Sequence, residues 1–377
     1  MIPYGKHHID EDDIAAVVEV LRGDWLTTGP TVTDFENGVA KYIGVTNAVA
    51  VSSGTAALHA AMFALEIKPG DEVIVSPITF AASANCVVYM GATPVFADVE
   101  PDTLLIDPKS VAEKITNKTR AIIAVDYAGQ TCDYKALKAI CEEFNLKLVG
   151  DCCHALGAKD EHGQQAGSIA DISVLSFHPV KHITTGEGGM ALTNNHELAK
   201  KMRTFRNHGI DVDASTRSQK CTWVYEMQEL GYNYRITDIQ CALGISQLKK
   251  LDNFLQIRRQ LAAKYRFLFL NHYEIKPLKI KKGVEHAFHL YTVKVPANKR
   301  KAAFEEMRSQ GFGVNVHYIP VHYHPYYKKH FNTGAGLCPV AEAAYEELLT
   351  LPLHPGMTER QIDSSAKTLD TILKNCK

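Results

Sequence analysis

A lysine and an aspartate thirty positions apart are the side chains here best placed to do chemistry. Lys181 stands four residues beyond the apolar run Ile172–Phe177, on a short turn, and Gly186-Glu-Gly-Gly follows before the next apolar run. Asp151 closes another apolar run, Leu146-Lys-Leu-Val-Gly-Asp151, and is followed by Cys152-Cys153-His154. Taken alone, a lysine is most often a solvated surface residue, and an aspartate after a strand is most often a loop or cap residue. A lysine buried at a strand end is different. Its pKa falls and it offers a free amine for imine chemistry. A buried carboxylate nearby suits a pyridine ring, because negative charge beside the ring nitrogen keeps it protonated and makes the ring an electron sink.

A third element fits a phosphate. After the apolar run Ala48–Val51 the chain reads Ser52-Ser53-Gly54-Thr55-Ala56-Ala57-Leu58 and turns helical. A strand that enters a helix through small residues leaves backbone N–H groups free at the positive end of the helix dipole. The GxGxxG of dinucleotide binders and the GxxxxGK[ST] of P-loops are both missing, which argues against those chemistries. Cys152-Cys153-His154 does not read as a metal site, since adjacent residues of extended chain diverge and no second ligand pair stands at zinc spacing. The cysteines read as small packing residues, and no metal is expected.

The elements that must position these groups alternate. Strand-like runs at Ala48–Val51, Glu72–Ser76, Pro94–Val99, Arg120–Asp126, Leu146–Asp151, Ile172–Phe177 and Gly189–Thr193 are separated by helical patterns such as Thr55–Glu66, Asp133–Phe144 and Asn195–Phe205. That alternation predicts an α/β layer on a mostly parallel sheet, with ligands at the carboxyl ends of its strands. A long helical pattern then runs from Thr237 to Asn271, followed by a strand-like His289–Val295, a helix over Lys301–Ser309 and an extended Gly313–Ile319. The change of character places a domain boundary near 250: a large unit over residues 1–250 and a small α+β unit over 251–377.

The 377 residues are 46% hydrophobic and 22% charged with net charge −1, so no basic excess favours nucleic acid or an anionic membrane surface. Nine cysteines without CxxC pairs read as reduced thiols. With neither a signal peptide nor an apolar run of membrane-spanning length, the expected location is the cytoplasm.

With these elements in this order, the chain resembles the DegT/DnrJ/EryC1/StrS family of sugar-nucleotide aminotransferases. The blocks include Ser53-Gly-Thr-Ala-Ala-Leu, Pro77-Ile-Thr-Phe80, Asp126-Tyr-Ala-Gly, Asp151-Cys-Cys-His154-Ala-Leu-Gly, Ser176-Phe-His-Pro-Val-Lys181, Gly231-Tyr-Asn233-Tyr-Arg and His317-Tyr-Ile-Pro-Val-His322. The resemblance implies pyridoxal phosphate (PLP) as cofactor and the aspartate-aminotransferase-like fold type I. It implies that Lys181 bonds the cofactor as an imine and moves a proton at the sugar C4, that Asp151 pairs with the ring nitrogen, and that His154 lies near the ring oxygen. Phe80 would stack on the ring, and Thr55 and Ala56 backbone groups with the Ser176 hydroxyl would hold the phosphate. Asn233 would reach the phosphate of a partner subunit, making the protein a homodimer with shared sites. His317, Tyr318 and His322 would face the sugar nucleotide. Several blocks further resemble the pseudaminic-acid branch, which implies L-glutamate as donor and a UDP-linked 4-keto sugar as acceptor, with UDP-4-amino-4,6-dideoxy-N-acetyl-β-L-altrosamine as product. GDP- or TDP-linked keto sugars are the rival acceptors. A dehydratase relative carries histidine where Lys181 stands, and a desulfurase would need a mobile cysteine, for which only Cys338 is positioned. A non-catalytic descendant would have lost the lysine or the aspartate.

Overall fold

The computed structural model describes residues 1–212 and 221–376. Twelve strands occur among them: β1 (Ile2–Pro3), β2 (Asn47–Val51), β3 (Glu72–Val75), β4 (Thr93–Phe96), β5 (Thr119–Val125), β6 (Lys147–Asp151), β7 (Ile172–Ser176), β8 (Gly189–Thr193), β9 (Lys276–Pro277), β10 (Tyr291–Lys294), β11 (Phe312–Gly313) and β12 (Leu348–Leu351). Seven of them form one sheet in the order β2-β8-β7-β6-β5-β3-β4. Only β8 runs against its neighbours; the β3–β4, β3–β5, β5–β6 and β6–β7 pairings are parallel. This is the mixed, mostly parallel sheet that the alternation of runs predicts.

Valine, isoleucine, leucine and alanine fill these strands because both faces are covered. Alternate residues go to different clusters: Val49, Val51, Val174 and Ala191 to one, and Ala48, Ala50, Leu175, Met190 and Leu192 to the other. The helix Gly54–Ala64 is almost wholly buried. Its run of glycine and alanine lets the backbone lie close to the strands. The helix Tyr134–Phe144 is amphipathic instead, burying Tyr134, Leu137 and Cys141 at helical spacing. Asp133 caps its start and Asn145 ends it in the left-handed region.

Two sequence expectations are corrected. The pattern over 237–271 is two helices, Asp238–Leu248 and Leu251–Leu268. No Gly or Pro marks the break. It comes at Lys249–Lys250, where the Lys250 ammonium is held by Asp10 and, at 3.0 Å, by Asp13. The extended Gly313–Ile319 also gives way: only Phe312–Gly313 forms a strand, paired with β1, and the chain beyond is irregular, with a cis peptide bond between His317 and Tyr318.

Strands β9, β10 and β12 make a three-stranded antiparallel sheet, around which a third core cluster gathers residues from Leu261 to Leu373. Val321, Tyr327, Cys338 and Leu348 instead pack into the first cluster. No helix of the described residues is long and apolar enough to cross a membrane.

Candidate active site

Asp151 is the last residue of β6, in register with Val125 on one side and Val174 on the other. It is buried and held from two directions. The Ser83 hydroxyl donates to Oδ2 at 2.6 Å, and the Cys153 backbone N–H donates to Oδ1 at 3.3 Å. Ser83 is itself fixed by the Thr79 hydroxyl, 2.7 Å away. A buried carboxylate keeps acceptor capacity after two such bonds, so one edge of Asp151 remains available to a cationic donor.

Lys181 sits on a turn closed by its own N–H donating to the His178 carbonyl at 2.9 Å. Burial pushes its amine below the ordinary lysine range, while Cys153 and Asp151 pull it back up. The two sequence candidates are linked through His289, whose ring lies 4.4 Å from that of His154, three residues after Asp151. Amine Nζ lies 3.5 Å from His289 Nε2. The two cysteines diverge, as the sequence predicts: Cys152 joins the second core cluster, whereas Cys153 faces Gly54, whose added Cβ would lie 3.4 Å from its sulfur. Burial raises both thiols well above the free value, which makes neither a ready nucleophile.

The strand-to-helix turn at Ser53 supplies a cradle. The Ser53 hydroxyl caps the helix by accepting from Ala56 N–H at 3.1 Å. The Ala56 N–H, expected to hold a phosphate, is thus donated to Ser53 in this structure. The N–H groups of Gly54 and Thr55 begin the helix and have no partner among the described residues. A Cβ on Gly54 would come within 3.0 Å of Ser176 Cβ, so glycine keeps the space between helix start and Ser176 open. Gly189 is tighter still: a Cβ there would meet the Ser53 carbonyl at 2.3 Å. Glycine at the start of β8 is what lets the Ser53 turn sit against the sheet.

Above this floor lie aromatic side chains. His154 Nε2 is 3.1 Å from the Tyr318 hydroxyl, and its Nδ1 is buried without a partner. Tyr318 also stands 6.3 Å, ring to ring, from Phe80, which is 63% exposed. His317 turns away, with Nδ1 2.9 Å from the Thr350 hydroxyl and its carbonyl accepting from Tyr127. His322 does not reach this cluster. It is fully buried, its Nε2 is 3.0 Å from Glu342, and its ring packs behind Phe96. The expectation that His322 faces a sugar nucleotide is corrected on that ground: a short 3-10 helix, Val321–Tyr323, carries it inward. Asn233 is exposed, bridged to Asn207, on a segment whose neighbours Tyr232 and Tyr234 stack at 5.1 Å. Among the described residues nothing joins it to Lys181.

Three residues were missed by sequence reasoning. Ser83, His182 and His289 carry no spacing signal, and His289 lies 108 positions from the lysine it touches. Taken together, a buried carboxylate with a free edge, a half-buried lysine, two N–H groups without a partner among the described residues beside Ser176 and an orphaned His154 Nδ1 fit a phosphorylated pyridine aldehyde.

The sequence matches the DegT/DnrJ/EryC1/StrS aminotransferase family model over residues 7–370. Spore coat polysaccharide biosynthesis protein SpsC of Bacillus subtilis is 38% identical, covering 99% of this chain and 97% of its own. The UDP-4-amino-4,6-dideoxy-N-acetyl-beta-L-altrosamine transaminase of Campylobacter jejuni is 37% identical over 100% of this chain and 99% of its own. Among solved structures, Spr1654 of Streptococcus pneumoniae in its PMP form superposes with a TM-score of 0.94 at 34% identity, covering 100% of both chains. Helicobacter pylori PseC, an aminotransferase involved in the biosynthesis of pseudoaminic acid, gives 0.92 at 32% identity and 99% of both chains.

Proposed function

The chain belongs to the DegT/DnrJ/EryC1/StrS aminotransferase family, and from that premise we propose that it moves the amino group of L-glutamate to C4 of a UDP-linked 4-keto-6-deoxy-N-acetylhexosamine. The product would be UDP-4-amino-4,6-dideoxy-N-acetyl-β-L-altrosamine. The observation that supports the reading is Lys181 Nζ set 3.5 Å from His289, whose ring packs 4.4 Å from His154, three residues after the buried Asp151. The choice of acceptor is supported by the full-length similarity to the Campylobacter transaminase and by the fold shared with PseC.

Pyridoxal phosphate is the cofactor, and when bound it supplies an aldehyde that carries the amino group and a ring that accepts electrons. The protein's own residues do the rest. Asp151, oriented by Ser83, holds a proton on the ring nitrogen. Gly54 and Thr55 N–H groups with the Ser176 hydroxyl bind the phosphate at the helix N-terminus. Lys181 takes and returns the proton at the carbon that gains or loses the amine, first on glutamate and then at the sugar C4. His154 and Tyr318 orient the ring edge, and Phe80 covers its face. We assign the cofactor site to residues 1–250 and a smaller covering unit to 251–377. A homodimer completes the site through Asn233 of the second copy; the exposed Trp223, Met227 and Leu230 on the neighbouring stretch support that pairing.

The test is amine transfer from glutamate to a panel of UDP-, GDP- and TDP-linked 4-keto sugars, with Lys181→Ala alongside. Transfer confined to the UDP-linked N-acetyl sugar is expected. Preference for a GDP- or TDP-linked acceptor would move the protein to another branch. Turnover retained by Lys181→Ala would overturn the assignment of the lysine.

A further inference from the structure

His289 is brought to the lysine by a strap that the chain anchors at every step. Ala287 N–H donates to the Gly129 carbonyl at 2.8 Å and Leu290 N–H to the Ala128 carbonyl at 3.2 Å. Phe288, at φ +49°, donates its N–H to His286 Nδ1 at 2.8 Å. The fully buried Arg258 reaches the Phe288 and His289 carbonyls through Nη1 at 3.2 and 3.4 Å. Gly129 must be glycine for this contact, since a Cβ there would meet Phe288 N at 2.7 Å. So many ties on a left-handed, non-glycine backbone indicate a segment held for the sake of one side chain.

The hydrogen-bond network fixes which nitrogen of that side chain carries its proton. His182 offers the precedent nearby: its Nε2 faces the Ala287 carbonyl at 3.1 Å, and a carbonyl only accepts, so the hydrogen is on Nε2. For His289, Nδ1 is buried and unpartnered. A hydrogen there would be an orphaned buried donor, the costlier of the two defects. It therefore belongs on Nε2, which faces Lys181 Nζ at 3.5 Å, the outer edge of hydrogen-bonding distance. A donor aimed at the amine requires the nitrogen lone pair, which only the uncharged amine has.

Resting on the reading of Lys181 as the cofactor lysine, we propose that His289 is its positioning residue: Nε2–H donates to the free amine and holds it uncharged, in place, whenever it is released from the cofactor. Among the other groups around the amine, Asp151 and Cys153 favour the ammonium while burial disfavours it; His154, His182 and His317 face it as rings whose own protonation the lysine charge opposes. His289 adds a directional contact to that balance. Burial keeps the imidazole itself uncharged, and the His154 ring, 4.4 Å away, acts in the same direction.

The experiment follows cofactor capture by the cofactor-free protein. The uncharged amine attacks the aldehyde carbon, a C–N bond forms and water leaves with the aldehyde oxygen, so the rate against pH reports the pKa of the free amine. With His289→Phe, the midpoint should rise by about one unit and capture at neutral pH should slow about tenfold. His289→Gln, which keeps an N–H donor, should recover to within about threefold of the parent protein. An unchanged midpoint in His289→Phe overturns the proposal, as does His289→Gln as slow as His289→Phe, which would make the effect one of packing. Should the phenylalanine variant not fold, ¹⁵N-histidine spectra of the cofactor-free parent protein decide: an Nε2–H tautomer at 289 supports the proposal, and Nδ1–H or imidazolium refutes it. Lys181→Ala separates the two readings. If it still forms a borohydride-reducible chromophore, the lysine assignment fails; if it does not and His289→Phe is unaltered, only the role of His289 fails.

Discussion

Ser83→Ala probes whether the carboxylate at position 151 must be held to bind the cofactor. The Ser83 hydroxyl is 2.6 Å from Asp151 Oδ2, with both residues buried. A hydrogen bond to a charged group is worth about 1.5–3 kcal/mol, roughly twice a neutral one. After its removal one donor remains, the Cys153 N–H at 3.3 Å, and Asp151 is free to turn away from the ring nitrogen. If the whole loss appears in cofactor binding, affinity falls about 10- to 150-fold. The assay is a titration of cofactor-free protein with pyridoxal phosphate, read by the visible chromophore, in the parent, Ser83→Ala, Asp151→Asn and the double variant. In the Asp151→Asn background the lost bond is neutral, so the penalty for Ser83→Ala should shrink to about 0.5–1.5 kcal/mol. An affinity within twofold of the parent, or an equal penalty in both backgrounds, would refute the claim that Ser83 acts through the charge on Asp151.

Two further perturbations address the cradle and the pH response. Gly54→Ala places a methyl 3.0 Å from Ser176 Cβ and 3.4 Å from Ser176 Oγ; because the residue is not in the left-handed region, the fold should survive while cofactor affinity drops at least about tenfold, measured by the same titration with circular dichroism as the control. His59 is buried in a ring of aromatic side chains, and burial lowers its pKa to about 4. The unfolded chain takes up this proton near pH 6.5 and the folded one only near 4, so the stability it contributes is full above 6.5 and lost as pH falls through that window. Thermal scans from neutral to acid should show a shallower decline for His59→Phe, and an identical decline would show that the ring titrates normally.

The order of helices and strands, the carboxyl-end placement of Asp151 and the lysine turn were all readable from the chain, because apolar runs bounded by small residues and glycine dictate local geometry without reference to distant partners. Strand limits came within a residue or two for β2, β3, β5, β6 and β8. What failed were the features decided by contacts far apart in sequence. The break at Lys249–Lys250 depends on Asp10 and Asp13 more than two hundred residues earlier, and the inward turn of His322 depends on Glu342. His289 illustrates the limit best. A histidine in an apolar stretch has no periodicity to betray it, and only packing between the strap over residues 286–290 and the turn at Lys181 gives its ring a partner. Sequence set the elements and the reactive groups; the tertiary fold decided which of those groups meet, since burial and mutual distance exist only once the chain has closed on itself.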